Sequence, residues 1–190
     1  MPDLEEFPLV TDEDIDLTFV ERVKGTPGGE HIMDCYACGT CSASCPIRAI
    51  DETFNPRRII RLALLGLKDE VLRSEFIWLC TGCYICQERC PQDVRITELM
   101  MAFRNVATAE GYPHPTVTAI AEALEKQGII LEIGEFENEK RQKIGLPPRN
   151  VPPDCVRLIL RDTGLLDTLA RAKARSATAT EGGPAKGGGA

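Results

Sequence analysis

Apolar residues recur along this chain mainly at helical spacing. Leu99, Phe103 and Val106 lie at i, i+4 and i+7 with Met100 and Ala107 beside them, and Thr97 can cap a helix running to about residue 110. Gly111-Tyr-Pro-His-Pro breaks it. Upstream, Asn55-Pro56 reads as the N-cap and first position of a helix. Residues 57–67 follow, rich in helix formers and apolar on most faces, so this helix is expected to be buried. Shorter helices are predicted over 69–73 and, capped by Ser74, up to Trp78. Downstream, 116–126 ends at Gly128, and 135–144 is charged and stopped by Gly145-Leu-Pro-Pro. Residues 153–162 and 165–175 complete the set. Between 46 and 79 there is no alternating strand pattern and no Asn-Gly hairpin. The expectation is a mostly α protein with almost no sheet.

Composition narrows the function. With 190 residues, the chain suffices for one domain with tails. Its net charge of -7 argues against non-specific nucleic-acid binding, which needs a basic face. A hydrophobic fraction of 43% rules out wholesale disorder. No 18-residue apolar run exists, so no membrane insertion is expected. The start is acidic and lacks the basic-then-apolar pattern of a signal peptide, which predicts a cytoplasmic protein.

The nine cysteines decide the class. Eight fall in two runs, Cys35-Tyr-Ala-Cys38-Gly-Thr-Cys41-Ser-Ala-Ser-Cys45-Pro46 and Cys80-Thr-Gly-Cys83-Tyr-Ile-Cys86-Gln-Glu-Arg-Cys90-Pro91. Both read C-x2-C-x2-C-x3-C-P, the bacterial-type spacing for cubane iron–sulfur clusters. Three thiolates two residues apart can wrap three corners of one cube. The fourth lies beyond that loop, and in two-cluster proteins it ligates the other cluster. By this rule cluster 1 takes Cys35, Cys38, Cys41 and Cys90, and cluster 2 takes Cys80, Cys83, Cys86 and Cys45. Two [4Fe–4S] clusters held in this way would lie close enough for an electron to hop between them. A disulfide framework suits a short secreted chain, and zinc prefers two C-x2-C pairs, so both are poorer fits.

The remaining candidates are weaker. Cys155 stands alone and is expected to be a buried small hydrophobe. His31 and His114 are isolated and read as ordinary structural residues. Bound thiolates deepen the negative charge, and Arg48 and Arg89, beside and inside the runs, are candidate cations to moderate it. Tyr36 and Tyr84 are expected to occupy matching places and to shield the bound groups from water. Gly39 and Gly82 either let backbone N–H groups approach sulfur or satisfy turn geometry, and both readings stand. There is no G-x-G-x-x-G for a nucleotide, no C-x-x-C-H for haem and no nucleophile–base pair, so no catalytic site is expected on this chain.

Cys38-Gly-Thr-Cys-Ser-Ala-Ser-Cys-Pro46, Asn55-Pro-Arg-Arg58, Trp78-Leu-Cys-Thr-Gly-Cys83, Cys86 and Cys90-Pro-Gln-Asp93 together closely resemble the C-type subunit of heterodisulfide reductase. The resemblance covers about 30–110 and extends toward 150. It implies an α-helical ferredoxin fold with two cubane clusters. It also implies a relay of electrons from the flavin-containing A-type subunit of heterodisulfide reductase to its B-type subunit with CCG segments, where a disulfide is reduced. In methanogens that disulfide joins coenzyme M and coenzyme B. Relatives in hydrogen, formate, NADH or sulfur metabolism make hydrogenase and formate dehydrogenase modules further candidate partners. The alternatives are the iron–sulfur subunit of a succinate dehydrogenase or fumarate reductase type enzyme, a free ferredoxin, and a zinc-bound assembly adaptor.

The resulting layout is an acidic N-terminal arm over 1–30, a dicluster α-helical ferredoxin domain over 31–112, a C-terminal helical docking extension over 113–175 and a flexible tail over 176–190. Eight acidic residues and no Lys or Arg fall within 1–21, and Ala, Thr and Gly dominate the tail.

Overall fold

A computed structural model describes residues 10–131, 133–149 and 152–179. Among these residues the secondary structure is helical, with no strand. Two compact units divide the chain, Met1–Tyr112 and Pro113–Ala190.

The first unit is organised around α7 (Ile96–Ala109). The helices α1 (Phe19–Lys24), α4 (Lys68–Leu72), α5 (Phe76–Leu79) and α6 (Ile85–Glu88) pack on it. The predicted stripe faces inward: Leu99, Phe103, Val106, Met100 and Ala107 are all buried. Facing them are Phe19, Ile60, Leu72 and Ile77, and Phe54 packs on Phe76 with ring centroids 5.3 Å apart. Part of the segment expected as an acidic arm therefore belongs to the core, because Phe19 and Val23 are fully buried. Four charges reinforce that attachment. Arg22 bridges Asp16 (2.7 Å) and Glu110 (3.0 Å), and Lys68 approaches Glu110 and Asp16 at 3.5 and 3.8 Å. The hydrogen bond from Arg22 holds the Asp16 carboxyl down at about 2.

The first unit differs from the sequence expectation in three respects. Thr97 does not cap α7; the helix starts two residues earlier than that cap would set, at Ile96 after Arg95 in the left-handed region (φ 53), and Thr97 is buried inside it. The helix expected over 57–67 is α3 (Pro56–Leu64), and it is amphipathic. Ile59, Ile60 and Ala63 are buried while Arg57, Arg58 and Arg61 face solvent, since burial would strip three guanidinium groups of their water. It ends early because Gly66 takes φ 78 and its carbonyl accepts from Asp16 N–H at 2.8 Å. A Cβ there would stand 2.8 Å from the Asp16 carbonyl oxygen, so only glycine fits.

The start of α3 is tied to the first cysteine run. Asn55 Oδ1 accepts from Arg58 N–H at 3.1 Å and from Ser42 Oγ–H at 2.6 Å, and Ser42 Oγ in turn accepts from Arg57 N–H at 3.1 Å. Ser42 is buried beside Cys41 and has these bonds in place of water. Asn55→Ala removes the cap and strands the Ser42 hydroxyl, an expected loss of about 1–3 kcal/mol. Anaerobic urea unfolding checks it, with a lower midpoint at unchanged slope and with Asn55→Asp restoring most of the loss.

In the second unit, α8 (Pro115–Gln127) is capped by His114, whose Nδ1 accepts from Thr116 N–H at 3.2 Å. It ends at Gly128. After α9 (Glu135–Lys143), α10 (Asp154–Asp162) packs on α8 and on α11 (Leu165–Ala179). Arg157 Nε donates to the Glu125 carbonyl at 2.7 Å, and Ala121, Leu160 and Leu169 are buried. Cys155, expected to be buried, is exposed on α10. Leu160, not Cys155, faces inward there because the contact surface follows the 3.6-residue period. The expected tail begins inside α11, which continues to Ala179, and from residue 180 onward it lies outside the described residues.

Candidate iron–sulfur centres

The two cysteine runs share one backbone path. Each leaves a short helical or 3-10 turn in extended conformation at its first cysteine: Cys35 after Ile32–Asp34, and Cys80 after α5. Each then turns through two left-handed residues into a one-turn helix. In the first run these are Ala37 (φ 61) and Gly39 (φ 85) before α2 (Thr40–Ala43). In the second they are Gly82 (φ 65) and Tyr84 (φ 63) before α6. Counted from the first cysteine, these are the same two places. One is glycine and the other is not in each run, so the turn itself demands the left-handed conformation. Space is not the reason: a Cβ at Gly82 would meet nothing within 4 Å, and one at Gly39 only the Arg57 side chain. That favours turn geometry for the two glycines. Ala37 and Tyr84 accept a backbone cost of about 1–2 kcal/mol each.

The same register corrects the reading of the tyrosines. Tyr36 matches Thr81 and Tyr84 matches Gly39, so the two do not occupy equivalent places. Tyr36 lines the first cavity although it is 61% exposed, whereas Tyr84, 49% exposed, lines neither cavity. Side-chain hydrogen bonding with Cys38 raises the Tyr36 phenol pKa.

Packing of these turns surrounds two cavities. Cys35, Cys38, Cys41 and Cys90 line the first, which has about 330 Å³ of free space including its mouth. Cys45, Cys80, Cys83 and Cys86 line the second, with about 440 Å³. Each cavity thus takes three sulfurs from one run and the last sulfur from the other. Ile96 lines both. The remaining walls of the second are mostly apolar, including Phe54, Phe76 and Met100. Cys38 and Cys83 are exposed, Cys41 is buried, and the other five are half-buried. A single zinc ion would draw its sulfurs to about 2.3 Å of one point. Among the described residues no three His, Cys, Asp or Glu side chains converge in that way. A polynuclear centre suits sulfurs spread around a cavity.

The thiols sit in contrasting environments. Burial pushes Cys86 up to about 11, against the hydrogen bond of Thr97, whose hydroxyl lies 3.9 Å from its sulfur. Burial raises Cys41 as well. Hydrogen bonding by Thr40, whose hydroxyl lies 3.4 Å from Cys38 Sγ, lowers Cys38. Val94 N–H donates to Cys90 Sγ at 3.5 Å. Metal ligation requires thiolates, so a metal centre displaces the protons that burial holds on Cys86 and Cys41.

Several neighbours escaped the sequence reading. Thr97, expected as a cap, lines the second cavity instead. Arg57 lines the first, whereas neither Arg48 nor Arg89 is among the lining residues of either cavity. Arg89 instead ties the two runs together by donating to Ser44 Oγ at 3.1 Å. The Asn-Pro-Arg run did carry a signal for Arg57, since the cap places Arg57 next to Ser42. Arg104, in the middle of α7, lines neither cavity but donates to the Cys80 carbonyl at 2.7 Å, and no signal marked it.

Residues 31–94 match the model of the 4Fe-4S dicluster domain family. The chain is 37% identical over 138 residues to the C-type subunit of the H(2):CoB-CoM heterodisulfide,ferredoxin reductase of Methanothermobacter thermautotrophicus, covering 73% of this chain and 74% of that one. It is 36% identical over 152 residues to the C-type iron-sulfur subunit of the CoB--CoM heterodisulfide reductase of Methanopyrus kandleri, covering 76% and 78%. A protein of Archaeoglobus profundus, named as similar to the C-type heterodisulfide reductase subunit, is 31% identical over 153 residues, covering 74% and 77%. Among the described residues no helix is long and apolar enough to cross a membrane. With the matched segment spanning both cysteine runs and relatives aligned over about three quarters of their length, the chain belongs to the family of C-type heterodisulfide reductase subunits.

Proposed function

We propose that this chain is the electron-relay subunit of a heterodisulfide-reductase-type complex, passing electrons from the flavin-containing A-type subunit to the disulfide-reducing B-type subunit. The crosswise grouping of eight cysteines around two cavities of one helical core carries the reading. Cys35, Cys38, Cys41 and Cys90 would hold one [4Fe–4S] cluster, and Cys80, Cys83, Cys86 and Cys45 a second. When bound, such clusters supply reversible one-electron redox chemistry without bond making on the polypeptide.

The protein's own part is to hold, orient and keep dry. Ile96, Phe54, Phe76 and Met100 exclude water from the second cavity, which lowers the local dielectric and makes nearby charges count for more. Val94 N–H donates to Cys90 Sγ and the Thr97 hydroxyl stands beside Cys86 Sγ, where donated hydrogen bonds favour the thiolate form. Exposure of Cys38 and Cys83 supports exchange with partners at the rim of each cavity. The second unit would serve as docking surface, since Leu131, Phe136 and Ile144 are all exposed there.

Anaerobic purification of the native complex tests the proposal. A co-migrating flavoprotein and a CCG-containing chain are expected, with about eight iron atoms per copy of this chain, as two cubanes require. A lone monomer, or a covalently flavinylated partner with membrane anchors, would overturn it.

A further inference from the structure

We propose that Arg104 positions the second cysteine run and is the cation that raises the reduction potential of the centre held there. This inference rests on the ligand assignment just given. The half-buried Arg104 side chain reaches from α7 to the end of α5. Its Nε donates to the Ile77 carbonyl at 2.5 Å, and its Nη2 donates to those of Trp78 and Cys80 at 3.3 and 2.7 Å. The last carbonyls of a helix have no partner within it. Here one planar fork of donors satisfies three of them, a geometry that a lysine ammonium cannot reproduce.

Position follows from that clamp. The chain turns from helical to extended backbone at Cys80 (φ -58, ψ 119), the residue whose sulfur lines the second cavity. Fixing the Cys80 carbonyl fixes the direction in which this residue enters the cavity wall. The clamp comes from 24 residues further along the chain, so it forms only when α7 is docked.

Charge follows as well. Among the described residues no ion pair includes Arg104, so neutral groups, three carbonyl oxygens and the Met101 thioether at 3.5 Å, face its charge. A half-buried cation is weakly screened. It favours the more negative, reduced state of a neighbouring redox group, which raises the potential. The cation at the first cavity, Arg57, is exposed and more strongly screened. Arg104 should therefore act on one centre only.

Potentiometric titration of the anaerobically purified full chain, followed by paramagnetic resonance with iron and sulfide analysis, tests this. Arg104→Gln is expected to shift one couple about tenfold toward the oxidised form, which is about 59 mV for one electron. The other couple should stay within twofold of wild type, and Arg104→Lys should recover more than half of the shift. The affected couple should be the one lost in Cys80→Ala. If the glutamine variant loses that centre, the lysine variant decides. A retained centre with near-wild-type potential supports the proposal, and a retained centre whose couple is shifted tenfold or more from wild type overturns it. Two normal centres with unshifted couples, or both couples shifted alike, would overturn the role of Arg104 and leave the ligand assignment standing. A wild-type chain without iron–sulfur centres would overturn the ligand assignment and this inference together.

Discussion

Cys90→Ala is expected to destroy the iron–sulfur centre of the first run, although Cys90 belongs to the second. Cys90 lines the same cavity as Cys35, Cys38 and Cys41, and the Val94 N–H at the approach to α7 holds its sulfur there. Without it, three sulfurs remain for a centre that needs four, and Cys38 among them is exposed to solvent. The centre of the second run keeps Cys80, Cys83, Cys86 and Cys45 and should survive. Iron content should fall by about half, the share of one of two cubanes. The resonance spectrum should match that of Cys41→Ala and differ from that of Cys86→Ala. Cys45→Ala should give the mirror result. A Cys90→Ala protein with the spectrum of Cys86→Ala would show that each run ligates its own centre.

Phe103→Ala is the most damaging core change expected. Phe103 is fully buried on the helix against which α1, α4, α5 and α6 pack. Truncating a buried phenylalanine costs about 3–5 kcal/mol, through lost transfer energy and the cavity left behind. That is a large share of the 5–15 kcal/mol or so that stabilises an ordinary domain. The thermal midpoint should drop by at least about 12 °C in an anaerobic scan at fixed rate. Iron retention should fall with it, because the same helix supplies Ile96, Thr97 and Met100 to the cavity walls. Met101 is exposed on that helix, and Met101→Ala should change stability by no more than about 0.5 kcal/mol. A Phe103→Ala protein within 1 kcal/mol or so of wild type would contradict the central place given to α7.

Much of this architecture can be read along the chain, for identifiable reasons. The stripe Leu99, Phe103, Val106 marks α7 because a helix turns once in 3.6 residues, and Asn55-Pro56 marks the start of α3 because an N-cap acts on the next few amides. His114 reads as structural and proves to be a cap. Other features escape because their partners are remote. Gly66 ends α3 on account of the Asp16 backbone, Phe19 and Val23 leave an acidic segment for the core, and Thr97 gives up a capping role to stand beside Cys86. The left-handed Ala37 and Tyr84 violate local preference, so no propensity could announce them.

Short-range order was therefore set residue by residue: the cysteine spacing, the helical periods and the glycine and proline stops define which segments are helices and which residues carry sulfur. Tertiary packing alone settled how those segments close on one another. It brought Cys90 beside the first run and Cys45 beside the second, joined the runs through Arg89 and Ser44 across 45 residues, and delivered Arg104 to the end of α5. The physical reason is range. Backbone sterics and capping act within one turn, whereas burial and desolvation act on whatever the fold brings together, however far apart along the chain.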